Sequence, residues 1–360
     1  MRKWLLMSTS FLAIAATLIT ISLVGSLFKA DLTTKAVSYT IVPTKIEAAD
    51  EVYRFTPGFG FNAFGVIADG TKVSYSLAAD GPWEVVNPEA AEEGGIVVAY
   101  GDELWLKTDG TSAQVTLIDS KPQAKGGLQA AGSLITRAQW GADESYRLTS
   151  NGQVKWPTAI VSPKMIVVHH TVTANNDPNP AATVRAIYYY HAIVLGWGDI
   201  GYNYLVDQQG RIYEGRYGGD GVIGGHALKF NPVSIGIGVL GTYTTEVAPW
   251  PQAEATAQLI QEKALRWGID RQGTVWAVNG TYPTIVAHGD VGATACPGNG
   301  LRHHMWTFRN YNPVAREYWQ INSEGEAELV QKLTDGRYIT VERKTAKETA
   351  LWLWYDVLGY

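Results

Sequence analysis

Apolar and polar positions along this 360-residue chain fall into two regimes. From 51 to 119, short runs rich in β-branched and aromatic residues follow one another: Glu51–Phe55, Phe64–Ile67, Lys72–Leu77, Gly95–Tyr100, Glu103–Lys107 and Ala113–Ile118. Regular strand spacing punctuated by Pro-Gly, Asp-Gly and Gly-Asp dipeptides predicts a small β-sandwich. Further along, the periods mix. Met165–Thr171 is a continuous apolar run ending in histidine, which reads as a buried strand. Asn179-Pro180 opens a helix along which Val184, Ile187, His191 and Leu195 recur at helical spacing. Tyr202–Val206 and Arg211–Gly215 flank Gln208-Gln209-Gly210 as a hairpin. Val233–Leu240 reads as another buried strand, with Gly236 and Gly238 leaving room for a second element to approach. Pro251–Trp267 is an amphipathic helix stopped by Gly268, and Thr284–His288 is a short strand that delivers His288 to a sheet edge. The fold class is therefore α/β, a mixed central β-sheet flanked by helices, preceded by a small all-β sandwich-like domain.

The boundaries follow from shifts in composition. Arg2 and Lys3 precede residues 4–28, which carry no charge. This is an export signal, and it is also long enough to span a bilayer. Residues 1–30 are thus either a cleaved signal peptide or an N-terminal membrane anchor. Both place the bulk of the chain outside the cytoplasm, secreted or on the outer face of the cytoplasmic membrane. Residues 31–48 are Thr/Ala/Lys-rich without a clear period and read as a linker; 49–120 form the β domain; 121–133, with Gly126-Gly127, form a second linker. The α/β domain covers 134–318. The extension 319–360 holds a helix-like stretch, Glu324–Leu333, and a strand, Arg337–Val341, with no functional account.

A net charge of −5 and the lack of any Lys/Arg run argue against a nucleic-acid partner. The β domain has neither histidine nor cysteine, so its role is that of a scaffold, or of a sugar- or wall-binding surface presenting Trp83 and Trp105.

All the metal-ligating chemistry lies between 169 and 304, where the seven histidines and the single cysteine fall. An exported protein with one cysteine forms no internal disulfide, so Cys296 is free or engaged in chemistry. His288 precedes it by eight residues, and a thiolate with an imidazole suits zinc. A third ligand comes best from the histidine pair that ends Met165–Thr171, and three protein ligands plus a water is the arrangement of a catalytic zinc. A thiol nucleophile at Cys296 with His288 as its base is the competing reading, weakened by the lack of a nearby carboxylate or amide to orient the base. His170, His191 and His226 read as satisfied core residues, and His303 with His304 as a wet helix face.

The runs Ile135–Ala142, Val168–Thr171, Gly198–Val206, Gly210–Arg216, Asn231–Ile237 and His288–Gly298 occur in order over roughly 134–312 and together resemble the peptidoglycan recognition protein and type 2 N-acetylmuramoyl-L-alanine amidase family. The resemblance implies a Zn2+-dependent amidase acting on peptidoglycan or muropeptides at the bond between N-acetylmuramic acid and L-alanine. It implies His169, His288 and Cys296 as metal ligands and Tyr202 as a catalytic residue. Alternation along the strand lets only one of His169 and His170 share the metal's side. Thr294 stands where some relatives carry lysine, and its hydroxyl joins Tyr202 as a donor toward developing negative charge. Glu214 is the nearest carboxylate by motif, or a solvated hairpin residue; Arg216 either pairs a substrate carboxylate or lies on the surface. A non-catalytic module that only binds peptidoglycan is the alternative, against which the retained cysteine argues.

Overall fold

The computed structural model describes residues 20–22, 34–41, 52–68, 72–86, 96–108, 113–120, 132–311, 317–321, 326–332, 338–345 and 347. Nine strands come first: β1 (Thr20–Ser22), β2 (Lys35–Ile41), β3 (Val52–Phe55), β4 (Phe61–Ala68), β5 (Val73–Ser76), β6 (Glu84–Val85), β7 (Val97–Gly101), β8 (Leu104–Thr108) and β9 (Ala113–Asp119). They form a five-stranded sheet, β1-β2-β9-β4-β7, facing a four-stranded sheet, β3-β8-β5-β6. Alternation explains the packing: Phe64 and Val66 of β4 and Val115 and Leu117 of β9 meet Phe55, Leu104 and Leu106 in one core. The six strands expected between 51 and 119 are all present.

One expectation about the N-terminal region changes. Lys35–Ile41, within the stretch read as a linker, is a strand that pairs antiparallel with β9 over its whole length. Its Val37 is buried in the sandwich core, a contact that composition alone does not reveal. The uncharged run 4–28 lies outside the described residues except for Thr20–Ser22, which pairs antiparallel with β2. Among the described residues no helix is long and apolar enough to cross a membrane. Residues 121–131, most of the second expected linker, also lie outside them.

The α/β part begins with β10 (Leu134–Ile135) and α1 (Arg137–Trp140), then β11 (Met165–His170), α2 (Pro180–Tyr189), β12 (Tyr204–Val206), β13 (Ile212–Glu214), β14 (Ser234–Val239) and α3 (Trp250–Trp267). A hairpin of β15 (Thr274–Ala277) and β16 (Gly280–Pro283), which sequence reasoning missed, precedes β17 (Ile285–Ala287), α4 (Asn299–Arg302) and α5 (Met305–Asn310). The sheet order is β10-β13-β12-β14-β11-β17. Only β12 and β13 run antiparallel, being a hairpin; the other neighbours are parallel. Ile166 and Val168 of β11, Ile235 and Ile237 of β14 and Ile285 of β17 point toward Leu259 and Ile260 of α3 and Phe308 of α5. Met165, Val167 and Val286 point the opposite way, toward Phe230. Helix α2 packs on Leu205 and Tyr213 of the same sheet, while Ala63, Val98 and Ile118 of the five-stranded sheet join the same cluster. Gly268 ends α3 at φ 65°, where its N–H bonds to Ala264 O, the left-handed turn that favours glycine.

Past the α/β domain, β18 (Glu317–Ile321), β19 (Ala327–Lys332) and β20 (Tyr338–Lys344) form an antiparallel sheet. The helix-like reading of Glu324–Leu333 is thereby corrected: Glu, Ala, Leu, Gln and Lys favour helix in isolation, but pairing on both sides overrides that preference. Glu328 lies opposite Arg343 and pairs with it at 2.6 Å. Of the two histidines read as a wet helix face, His303 is exposed but His304 is buried, its Nε2–H donating to Ala248 O at 3.0 Å.

Burial pushes the His304 imidazole down from the usual 6.5 to about 4. The unfolded chain therefore takes up a proton that the folded one refuses as pH falls from 6.5 toward 4, and stability drops across that window. Denaturant unfolding at a series of pH values should show His304→Gln losing less stability than the parent protein between pH 6.5 and 4, by up to about 3 kcal/mol. Parallel curves for the two proteins would mean that His304 takes its proton as readily in the folded state.

Candidate metal centre and groove

The register of β11 against β17 assembles the site. Ile166 sits opposite Ile285, Val167 opposite Val286 and Val168 opposite Ala287, so the next residues, His169 and His288, leave the two strands side by side. Alternation puts both on the face of Val167 and Val286. Their rings lie 4.3 Å apart between centroids. Cys296 reaches the same point from the loop after β17, which closes through Gly289 N–H donating to Cys296 O at 2.7 Å. A Cβ on Gly289 would stand 2.6 Å from Thr294 O, so the loop cannot fold this tightly around a larger residue. Ligand atoms of His169, His288 and Cys296 all lie within 4.8 Å of one another, and Cys296 Sγ is 3.8 Å from His169 Nδ1. Tetrahedral zinc, with bonds of about 2.3 Å to sulfur and about 2.0 Å to nitrogen, holds those two atoms about 3.5 Å apart. The donor set fits a metal ion of that kind. His170 turns to the opposite face, where its Nδ1 accepts the Tyr243 N–H at 3.1 Å.

Beside these donors, with His288 in its lining, lies a groove of about 930 Å³. Tyr202, Thr294, His191 and His226 line it, with Trp156 and Trp197 along one part and Leu228, Lys229 and Phe230 along another. Gly236 and Gly238 of β14 supply the room anticipated from the sequence. A Cβ on Gly236 would sit 2.3 Å from the His226 ring, and one on Gly238 would sit 3.1 Å from that of Tyr202. Tyr202 lies 5.4 Å from His169 between ring centroids, and Thr294 Oγ1 accepts the Cys296 N–H at 3.0 Å. Among the described residues, those lining the groove include Lys155 and Lys229 and no carboxylate.

His226, expected to be a satisfied core residue, is buried and also reaches the cluster: its Nδ1 is 3.0 Å from His169 Nε2. A hydrogen bond there holds the tautomer and ring plane of His169 and leaves Nδ1 to face the thiol. Burial and the neighbouring imidazoles hold His169 well below the ordinary histidine range, and burial, with a smaller push from His288, lowers His226 to about 3. Neutral imidazole is the form that donates a lone pair to a metal. His191 likewise faces the groove, its Nδ1 accepting the Gly201 N–H at 3.0 Å. Sequence reasoning had a signal for His226 in the small residues Gly224-Gly225 before it and in Asn231, whose side chain accepts the N–H groups of His226 and Ala227.

Two charged residues singled out by motif have structural roles. Glu214 Oε2 accepts the Arg137 N–H at the start of α1 and does not line the groove. Arg216 is 1% exposed, which corrects the surface reading: Nη1 donates to Asp199 at 2.7 Å and the guanidinium stacks 3.9 Å from the Trp156 ring centroid. Asp199 also binds Arg137 and Arg147, so one buried carboxylate anchors the segment that leads into Tyr202.

Fold and site together define a mixed α/β domain built around a His–His–Cys cluster able to hold a metal ion. A family model described as N-acetylmuramoyl-L-alanine amidase matches residues 160–299. Peptidoglycan-recognition protein SC2 of Drosophila melanogaster is 32% identical over 182 residues, which cover 50% of this chain and 88% of that relative. Peptidoglycan recognition protein 1 of Bos taurus is 30% identical over 192 residues, 52% of this chain and 90% of the relative. Among solved structures, wild-type Drosophila PGRP-LB is 26% identical, with 51% of this chain and 98% of that one covered and a TM-score of 0.40. The chain belongs to the peptidoglycan-recognition protein and N-acetylmuramoyl-L-alanine amidase family.

Metal titration separates the roles of the three neighbouring histidines. With zinc as the probe, His169→Ala should abolish stoichiometric binding and His170→Ala should retain it. His226→Leu should weaken binding about 10- to 100-fold, as loss of a partner behind a ligand does elsewhere. Full affinity in His226→Leu would remove that residue from the centre.

Proposed function

We propose that the chain hydrolyses the amide bond between N-acetylmuramic acid and the L-alanine of peptidoglycan stem peptides, with Zn2+ held by His169, His288 and Cys296. The observation that carries this reading is a donor set of three, one short of a closed zinc shell, whose His288 lines a groove that also holds Tyr202 and Thr294. The family match and the names of the relatives support peptidoglycan as the ligand. The uncharged run at 4–28 supports an extracytoplasmic site of action, by secretion or by anchoring.

When bound, zinc supplies Lewis acidity at the scissile carbonyl and lowers the pKa of a bound water toward about 7. The protein's own residues do the rest. The Tyr202 hydroxyl donates to the oxygen on which charge develops, a contact that strengthens as the carbonyl becomes tetrahedral. Thr294 Oγ1 already accepts the Cys296 N–H, so its own proton serves as a second donor. With no carboxylate among the described residues of the groove, proton handling falls to imidazoles and hydroxyls, and the His226 bond keeps His169 in a lone-pair-donating form. Lys155 and Lys229 complement the carboxylates of a stem peptide, while Trp156 and Trp197 offer flat apolar faces to the sugar.

Incubating the purified protein with a defined muropeptide, with and without a chelator, tests the reading by mass spectrometry. Release of the intact stem peptide that stops on chelation and returns with zinc is expected. Binding without release would leave a recognition module. Tyr202→Phe should keep zinc and ligand affinity while turnover drops by about 100- to 1000-fold, the usual loss for one oxyanion donor. Unchanged turnover with zinc in place would reduce Tyr202 to a packing residue.

A further inference from the structure

The N-terminal β unit is fastened to the α/β domain by more than surface contact. The outer face of its five-stranded sheet is buried: Ala63, Val98 and Ile118 share one core with Val184, Ile187 and Tyr190 of the α2 segment. Polar groups at the seam are matched as well. Ser120 Oγ donates to Ala182 O at 2.6 Å, and the buried Arg185 guanidinium donates to Ser120 O on one side and to Trp140 O on the other, at 3.2 and 2.6 Å.

One contact on this seam points through the helix toward the groove. A Cβ on Gly65 of β4 would stand 2.1 Å from Cε2 of Tyr190, a ring with no solvent exposure, so glycine is needed there for space. Tyr190 begins a π turn, Tyr190–Val194, that continues α2. The wider turn changes which way successive side chains leave the helix: Tyr190 goes to the β unit and the next residue, His191, lines the groove. His191 Nδ1 then accepts the N–H of Gly201, the residue before Tyr202, and its ring lies 5.8 Å from that of Tyr202 between centroids. Gly201 itself is held tightly, since a Cβ there would stand 2.5 Å from Gly225 O.

We infer that the β unit is a positioning part of the groove, acting through the Gly65–Tyr190 contact on His191 and hence on the Gly201–Tyr202 segment, and is not a separate wall-targeting module. The inference rests on the amidase reading for its kinetic arm, and it has a second arm that does not. A shift of the Tyr190 ring displaces the π turn, tilts the His191 imidazole and moves the Tyr202 hydroxyl relative to the reacting carbonyl.

The test uses the full chain in a double-mutant cycle of Gly65→Ala and Tyr190→Leu, with every variant normalised to folded, zinc-loaded protein. Gly65→Ala should lower kcat on a soluble muropeptide by about 10- to 100-fold, the scale of a sub-ångström to ångström misplacement, with KM changed less than about twofold. It should also shift the His191 ring-nitrogen NMR signal. In the Tyr190→Leu background, where the ring is gone, Gly65→Ala should have no further effect on either readout. Should Gly65→Ala fail to fold, Ser120→Ala loosens the same seam more gently and should give the same signs. A lowered Tm with unchanged kcat and an unmoved His191 signal would overturn the inference, as would loss of activity on insoluble walls alone. If the parent protein cleaves nothing, the amidase reading fails while the His191 signal still decides this one.

Discussion

The parallel register between β11 and β17 is the constraint on which the His–His–Cys cluster depends. Three residue pairs, Ile166 with Ile285, Val167 with Val286 and Val168 with Ala287, are fully buried and divide between two cores on opposite faces of the sheet. A slip of one residue would exchange those faces. It would also exchange His169 with His170 at the cluster. Each buried Val or Ile contributes about 1.5–3 kcal/mol, so misregister would forfeit several kcal/mol before any loss at the site is counted. The geometry of two imidazoles is thus set by hydrophobic packing, not by the imidazoles themselves.

Given that floor, the groove exists because backbone replaces side chains on one face of β14. Ile235, Ile237 and Val239 fill the α3 side, while Gly236 and Gly238, between them, leave space that the His226 and Tyr202 rings occupy. The walls are held electrostatically. Asp199, with no solvent exposure, gathers Arg137, Arg147 and Arg216, and Arg216 in turn supports Trp156 at the groove edge. A buried carboxylate with three arginines gains little net stability. What it gives is direction: the segment that follows it carries Tyr202, and its place relative to Trp156 is specified by the same charge.

The central sheet, its helices and the clustering of His169, His288 and Cys296 were legible because each rests on local pattern: continuous apolar runs for β11 and β14, a Pro start and Gly stop for α3, and a lone cysteine eight residues after a histidine. Strand β2 and strand β19 were missed for a shared reason. Their identity comes from neighbours, β9 for one and β18 with β20 for the other, and no window of sequence contains a neighbour. His226 and His304 were assigned by default roles, one as core and one as wet. The first joins the centre through a bond 57 residues away in sequence, and the second is enclosed by packing that helix periodicity does not report. Arg216 was read from its charge, which suggested solvent or substrate, whereas its partner Asp199 lies 17 residues earlier.

Helix α2 carries a signal that a one-faced reading overlooks. Nine of its residues are buried, and the π turn that follows adds Tyr190, His191 and Ala192. A helix that is apolar on one stripe needs one partner; one buried nearly all round needs two. The run Tyr188-Tyr189-Tyr190 cannot share a single face, because successive helical residues point about 100° apart. Tyr188 packs edge-on against Trp140 within the α/β domain, while Tyr190 fills the space that Gly65 leaves in the β unit. Three consecutive aromatic residues on one helix therefore imply a second layer, and in this chain the nine-stranded β unit supplies it.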